Sequence, residues 1–257
     1  MKNDETLRIT LLQLDLAWEN KEINLSHVEN KIAALKDQTD LVILPETCTT
    51  GFTMHTSSLA ETMYGDTMSH LRNLSKSCNI AIAGSFIHGD ENIYHNRAFL
   101  ITPEGDCYHS DKRHLFRMGG EDRSYTPGDS RLIVNYKGWN ILLLVCYDLR
   151  FPVWSRNHSC EYDLAIYVAN WPFSRIKVWD VLLTARALEN QAYVCGVNRI
   201  GTDPYGIHYG GHSVLINAKG EPLAFLSEEK EAVVTSSIDK KSLSDYRIKF
   251  PVWKDAD

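Results

Sequence analysis

The sequence predicts a layered α/β or α+β sandwich, in which two sheets are covered by helices, and three observations predict it. Apolar runs of strand length recur along the chain, helical spacing fills several gaps between them, and later segments alternate between apolar and polar residues around tight turns. The runs at 9–14, 41–44, 80–87, 98–101, 141–146, 164–168 and 193–197 are mostly apolar without alternation, so most of them read as strands buried on both faces. Apolar residues returning every three and four positions mark helices at 23–35, 67–78 and 178–191. In the last of these, Leu182, Leu183, Ala185, Leu188 and Ala192 are expected on or near one face. Asp66 and Asp180 carry side chains suited to helix starts. Residues 213–216 and 232–236 alternate on either side of the turn-like Ala218-Lys219-Gly220-Glu221. Pro103-Glu104-Gly105 is a similar turn between 98–101 and 107–110.

No repeat, low-complexity stretch or linker divides the sequence, so residues 1–257 are expected to form a single domain with one large core. Hydrophobic residues at 44% and charged residues at 23% match soluble globular chains and exclude disordered, collagenous and membrane compositions. A net charge of -6 without clustered Lys and Arg argues against a nucleic-acid partner. Residues 1–5 are polar and no apolar run of about eighteen residues occurs, so neither export nor a membrane span is expected. The 6 cysteines are scattered without CxxC spacing, which points away from zinc sites and disulfide frameworks and towards reduced thiols in a cytoplasmic location.

Three polar islands stand at the ends of short strands. The first strand ends Leu44-Pro45-Glu46, and a strand end is a rigid place from which to aim a carboxylate. Asp111-Lys112-Arg113-His114-Leu115-Phe116 follows the strand-like 107–110. The third strand ends Val145-Cys146-Tyr147-Asp148-Leu149-Arg150-Phe151-Pro152, a strand-to-helix elbow in which a thiol sits beside backbone N–H groups able to hold an oxyanion. Each island also has a plainer reading. Glu46 fits a solvated carboxylate, Lys112 a surface charge, and Cys146 a small buried hydrophobe.

Taken in order, these three motifs resemble the nitrilase, or carbon-nitrogen hydrolase, superfamily over nearly the whole chain. The resemblance implies a four-layer αββα sandwich and a Glu-Lys-Cys triad that uses no metal or organic cofactor. Glu46 then corresponds to the general base, Lys112 to the cation beside the tetrahedral intermediate, and Cys146 to the nucleophile. Glu121, placed before the Pro127-Gly128 turn, matches a second glutamate that orients the substrate amide. The chemistry needs these residue types. A carboxylate takes the thiol proton and later protonates ammonia, while Lys112 and the Tyr147 N–H offer donors to the oxyanion. Lys112 between two glutamates is expected to keep all three charged.

The segment after Cys146, together with Ala169-Asn170-Trp171-Pro172, residues 185–190 and Gly210-Gly211-His212-Ser213, resembles the omega-amidase branch. That branch implies short dicarboxylic monoamides as substrates, with water as co-substrate, and a homodimer whose contacts include residues 246–253. Such a substrate carries a distal carboxylate that calls for a guanidinium, and Arg150 and Arg175 are the candidates. Phe52 and Tyr147 are candidate cavity walls, as is the aromatic loop at Trp171. His114, His208 and His212 do not have the spacing of a ligand set. Arg186 and Glu189 read as a structural ion pair. Alternatives are an aliphatic amidase, an N-carbamoyl amide hydrolase, and a non-catalytic scaffold of the same fold.

Overall fold

The computed structural model describes residues 5–227 and 229–255. Its first sheet is laid down by β1 (Thr6–Gln13), β2 (Leu41–Ile43), β3 (Ala81–Asp90), β4 (Ile93–Ile101) and β5 (Cys107–Asp111). The second begins with β6 (Leu132–Tyr136), β7 (Trp139–Val145), β8 (Leu164–Ala169) and β9 (Tyr193–Asn198). After a small ladder of β10 (Ile200–Thr202) and β11 (His208–Gly210), it is completed by β12 (Val214–Ile216) and β13 (Pro222–Phe225). Strand β14 (Ala232–Asp239) then returns to the first sheet. The orders are β14-β1-β2-β3-β4-β5 and β13-β12-β9-β8-β7-β6. Both sheets have parallel pairs at the centre and antiparallel pairs outside, with β1-β2-β3 parallel in one and β7-β8-β9 parallel in the other.

Burial on both faces explains the unbroken apolar runs. In β2, Leu41 and Ile43 face the other sheet, while Val42 and, one residue past the strand, Leu44 meet α1 (Lys21–Ala33) and α3 (Asp66–Cys78); the single-turn α2 (Thr56–Leu59) lies between those helices in sequence. In β7, Ile141, Leu143 and Val145 enter the core between the sheets, and Leu142 and Leu144 pack under α4 (Ile176–Asn190). Strand side chains alternate faces, so each strand serves two cores. The result is the four-layer αββα sandwich, with α1 and α3 on one outside and α4 on the other. Helix α5 (Lys240–Lys249) adds Leu243 to the inter-sheet core. Among the described residues no helix is long and apolar enough to cross a membrane.

Several expectations are corrected. No α-helix follows Cys146; the segment Cys146–Arg150 is a 3-10 turn that stops at Phe151, whose extended backbone is the one favoured before Pro152. Asp66 is the first residue of α3, but Asp180 lies inside α4, which opens at Ile176. On α4 the apolar pattern misplaces the inner face: Leu188 is 47% exposed, whereas Trp179, Leu183, Arg186 and Ala187 are buried. Helix α5 has no apolar stripe to reveal it, since Leu243 is its one buried residue. Strand β4 begins at Ile93 rather than at 98, because its first half is polar.

Candidate active site

The ends of strands from both sheets converge on one point. Leu44 N–H still donates to Ala83 O (2.8 Å), but Pro45 has no N–H with which to extend the ladder, and the chain leaves the sheet. Thr47 adopts a φ of 43° and donates its N–H to Ser85 Oγ (2.8 Å). Glu46, held between these fixed points, is fully buried. Lys112 follows β5; its N–H donates to Asn96 O (2.9 Å), and its carbonyl accepts from Gly128 N–H (2.9 Å). Only glycine permits that approach, since a Cβ at 128 would lie 2.2 Å from Asp111 O.

Cys146 follows β7 directly and opens the 3-10 turn at a φ of 45°, in the left-handed region. Asp148 in this turn accepts from Val145 N–H (3.1 Å) and His114 N–H (2.9 Å), and pairs with His114 Nδ1 (2.8 Å). The cysteine turn is thereby tied to the segment just beyond Lys112. From α4, Arg186 donates to Leu149 O (2.6 Å) and to Glu189 (2.8 Å), so the expected ion pair also props this turn.

Lys112 Nζ donates to Glu46 Oε1 and Glu121 Oε1, at 2.9 Å each, and all three side chains are buried. Glu121 is held in place by Phe116 N–H, while the neighbouring Asp122 is exposed. Burial opposes the Lys112 ammonium, but the charges of Glu121 and Glu46 outweigh it and hold the group well above the ordinary lysine value. Glu121 moves the other way from the fully charged expectation: burial pushes it above the usual carboxylate value against the pull of Lys112. Burial and then the Glu46 charge raise the Cys146 thiol well above its usual value, despite Lys112. The resting sulfur therefore keeps its proton.

Two asparagines to which the sequence reading gave no role complete this cluster. Asn96, on β4, donates Nδ2 to Glu46 Oε1 (2.8 Å). Asn170, just past β8, donates its backbone N–H to Glu46 Oε2 (2.8 Å) and its Nδ2 to Glu46 O (2.7 Å). A polar residue at the tip of an apolar strand is the signal for Asn170. Asn96 has no comparable signal, because it stands among other polar residues.

Glu46, Lys112 and Cys146 open on a cavity of about 310 Å³, a volume suited to a small molecule. Phe52, Tyr147, Arg150, Trp171 and Arg175 all line it. The Phe52 ring lies 5.1 Å from Lys112 Nζ. The Arg150 guanidinium stacks on Trp171 (5.4 Å) and that of Arg175 on Phe116 (5.2 Å). Among the described residues neither guanidinium has a carboxylate within 4.0 Å. A further wall comes from Asp203, Tyr205, Ile207 and Tyr209, on the loop between β10 and β11 and on β11 itself. The sequence reading did not single these out as wall residues. His114, His208 and His212 pair separately with Asp148, Glu229 and Asp180. Among the described residues no group of three or more His, Cys, Asp or Glu side chains is placed to hold a metal ion.

Sandwich and site together define a class of hydrolase, and comparison with known proteins says which one. The carbon-nitrogen hydrolase family model matches residues 8–248, and the chain belongs to that family. It is 46% identical to Omega-amidase YafV of Escherichia coli (strain K12) over 98% of this chain and 97% of the relative. It is 30% identical to 2-oxoglutaramate amidase of Bacillus subtilis (strain 168), with 96% of each covered. Among solved structures, it matches XC1258 from Xanthomonas campestris, a CN-hydrolase superfamily protein, at a TM-score of 0.96 and 41% identity, covering 98% of this chain and 97% of the other.

Proposed function

We propose that the protein is an omega-amidase: it hydrolyses the terminal amide of short dicarboxylic monoamides, such as α-ketoglutaramate and α-ketosuccinamate, to the dicarboxylate and ammonia. One observation carries this reading. A single cavity is lined both by Glu46, Lys112 and Cys146 and by two guanidiniums without a carboxylate partner among the described residues. The names of the relatives in Escherichia coli and Bacillus subtilis support it.

In the proposed reaction, Cys146 Sγ attacks the amide carbon while its proton passes to Glu46. The oxygen of the tetrahedral intermediate gathers negative charge, which Lys112 Nζ and the Tyr147 N–H stabilise. Glu46 then returns the proton to the departing nitrogen, ammonia leaves, and a thioester remains. Water attacks the thioester with Glu46 again accepting the proton, and collapse releases the acid and restores the thiol. Glu121 keeps Lys112 oriented from behind the cavity, which it does not itself line, so the expected contact with the substrate amide gives way to a role through Lys112. Phe52 and Trp171 shape the cavity around the substrate chain.

The distal carboxylate is gripped by Arg150 or Arg175. Removing the responsible guanidinium leaves that carboxylate unpaired in a poorly solvated cavity, a loss of about 2–5 kcal/mol in kcat/KM. A neutral amide never makes the contact and is scarcely affected. The measurement is the ratio of kcat/KM for α-ketoglutaramate to that for butyramide in wild type, Arg150→Met and Arg175→Met. Collapse of the ratio in one variant identifies the carboxylate's partner. A wild-type preference for butyramide would instead assign the protein to the aliphatic amidases.

The proposal extends to a cytoplasmic homodimer that acts on small molecules rather than on nucleic acid or membranes. The six cysteines, all free, support a reducing compartment. Exposed Ile248 and Phe250, within residues 246–253, support a subunit contact there. Light scattering on wild type and on Ile248→Asp should read a dimer and a monomer respectively.

A further inference from the structure

We propose that Asn96, which does not line the cavity, is a positioning residue that holds Glu46 as a carboxylate aimed at Cys146. The inference rests on the reading of Glu46 as the base. Asn96 is fully buried on β4, and its Nδ2 reaches two acids, Glu46 Oε1 at 2.8 Å and Glu121 Oε1 at 3.5 Å. The orientation of the amide is fixed by its surroundings, since a flipped Asn96 would set Oδ1 against a carboxylate oxygen. In the observed orientation, Asn96 Oδ1 is buried without a hydrogen-bond partner among the described residues. Buried polar atoms are rarely left so. An apolar residue would avoid that penalty, so the amide is explained by what its nitrogen does.

The charges facing Glu46 show why a neutral donor belongs here. Among the described residues Lys112 is the one cation that touches it; Glu121 lies across Lys112; and the Cys146 thiol and the more distant Tyr125 and Tyr209 hydroxyls are the other titratable groups around it. One ammonium is therefore shared between two carboxylates. Asn96 adds a second donor to Glu46 Oε1 without adding a charge, while Asn170 supplies donors to Oε2. Its backbone carbonyl also accepts from Lys112 N–H (2.9 Å), so one residue fixes both members of the pair.

A donor to a carboxylate favours the charged form, and its loss makes that carboxylate easier to protonate. The acid limb of activity should then move to higher pH. Asn96→Leu removes the donor at similar volume. Asn96→Asp keeps the shape but sets an acid against Glu46, and a proton shared by that pair leaves at higher pH. The experiment follows the rate of Cys146 alkylation by iodoacetamide, localised by peptide mass spectrometry, together with kcat/KM for α-ketoglutaramate, between about pH 4 and 9. Both variants should shift the acid limb upward by about one pH unit in both readouts. A loss of folded protein would lower amplitudes without moving the limb. Glu46→Gln should abolish this limb and leave only the alkaline rise of alkylation that comes from ionisation of the thiol itself. If it does not, Glu46 is not the base and the underlying reading falls. If Glu46→Gln removes the limb while either folded Asn96 variant keeps the wild-type limb, the positioning role alone is overturned.

Discussion

Replacing Cys146 with alanine is expected to abolish amide turnover, by about 10⁴-fold or more in kcat, while leaving the folded protein intact. The chemical half of this expectation follows from the thioester, for which no other thiol is available at the cavity: of the free cysteines, Cys146 alone lines it. The structural half follows from the elbow. Residue 146 sits at a φ of 45°, and alanine meets the same backbone strain as cysteine, so the exchange adds none. The removed sulfur borders the cavity as well as the edges of two core clusters, and the loss of one sulfur atom there is small enough for the fold to survive. Intact-mass spectrometry with a slow monoamide should find an acyl adduct on wild type and none on Cys146→Ala. Retained turnover in that variant would exclude Cys146 as the nucleophile.

Lys112→Met should produce the second large effect, and it should do so twice over. In catalysis it removes a donor to the oxyanion, lowering kcat by about 10²–10³-fold. In stability it leaves Glu46 and Glu121, both fully buried, without the ammonium that bonds each at 2.9 Å. Breaking a buried ion pair from one side destabilises by about 3–5 kcal/mol, because an uncompensated charge remains. Equilibrium unfolding in urea at neutral pH reads that term directly. Adding Glu46→Gln to Lys112→Met should restore part of the stability, since one stranded carboxylate becomes a neutral amide. In kcat the double variant should lose far less than the product of the two single losses, because the groups act as a unit. Strict additivity in both measurements would mean that Glu46 and Lys112 work independently.

What the sequence makes legible follows the physics of each segment. β2, β7 and β8 are apolar on consecutive residues because both faces are buried, so they can be read without any knowledge of pairing. The polar residues that end them, Glu46, Cys146 and Asn170, stand out against that background. β4 is the opposite case. Its first half, Tyr94-His95-Asn96-Arg97, is polar because it carries a site residue and ion pairs with Asp111, so an apolar criterion cuts the strand short and discards Asn96. Glu121 is legible only through a resemblance, since nothing local distinguishes it from Asp122. On α4 the apolar pattern fails because a buried Arg186 serves the cysteine turn, and function there overrides the usual partition of polar and apolar residues. Helix α5 escapes notice because its anchoring is ionic: Asp163 takes Arg247 at 3.0 Å and also pairs with Lys240.

Glu46 and Lys112 belong to the end of one sheet, and Cys146 and Asn170 to the end of the other. The hydrogen bonds that join Asn170 to Glu46 cross 124 positions of sequence. Contacts so remote in the chain form late, after the entropy of closing the intervening loop has been met. During refolding from denaturant, helical signal should therefore return before any ammonia is released, and the recovery of turnover should report the docking of the two sheets rather than the formation of either. A proteolytic fragment carrying one sheet would hold half of the chemistry and perform none of it.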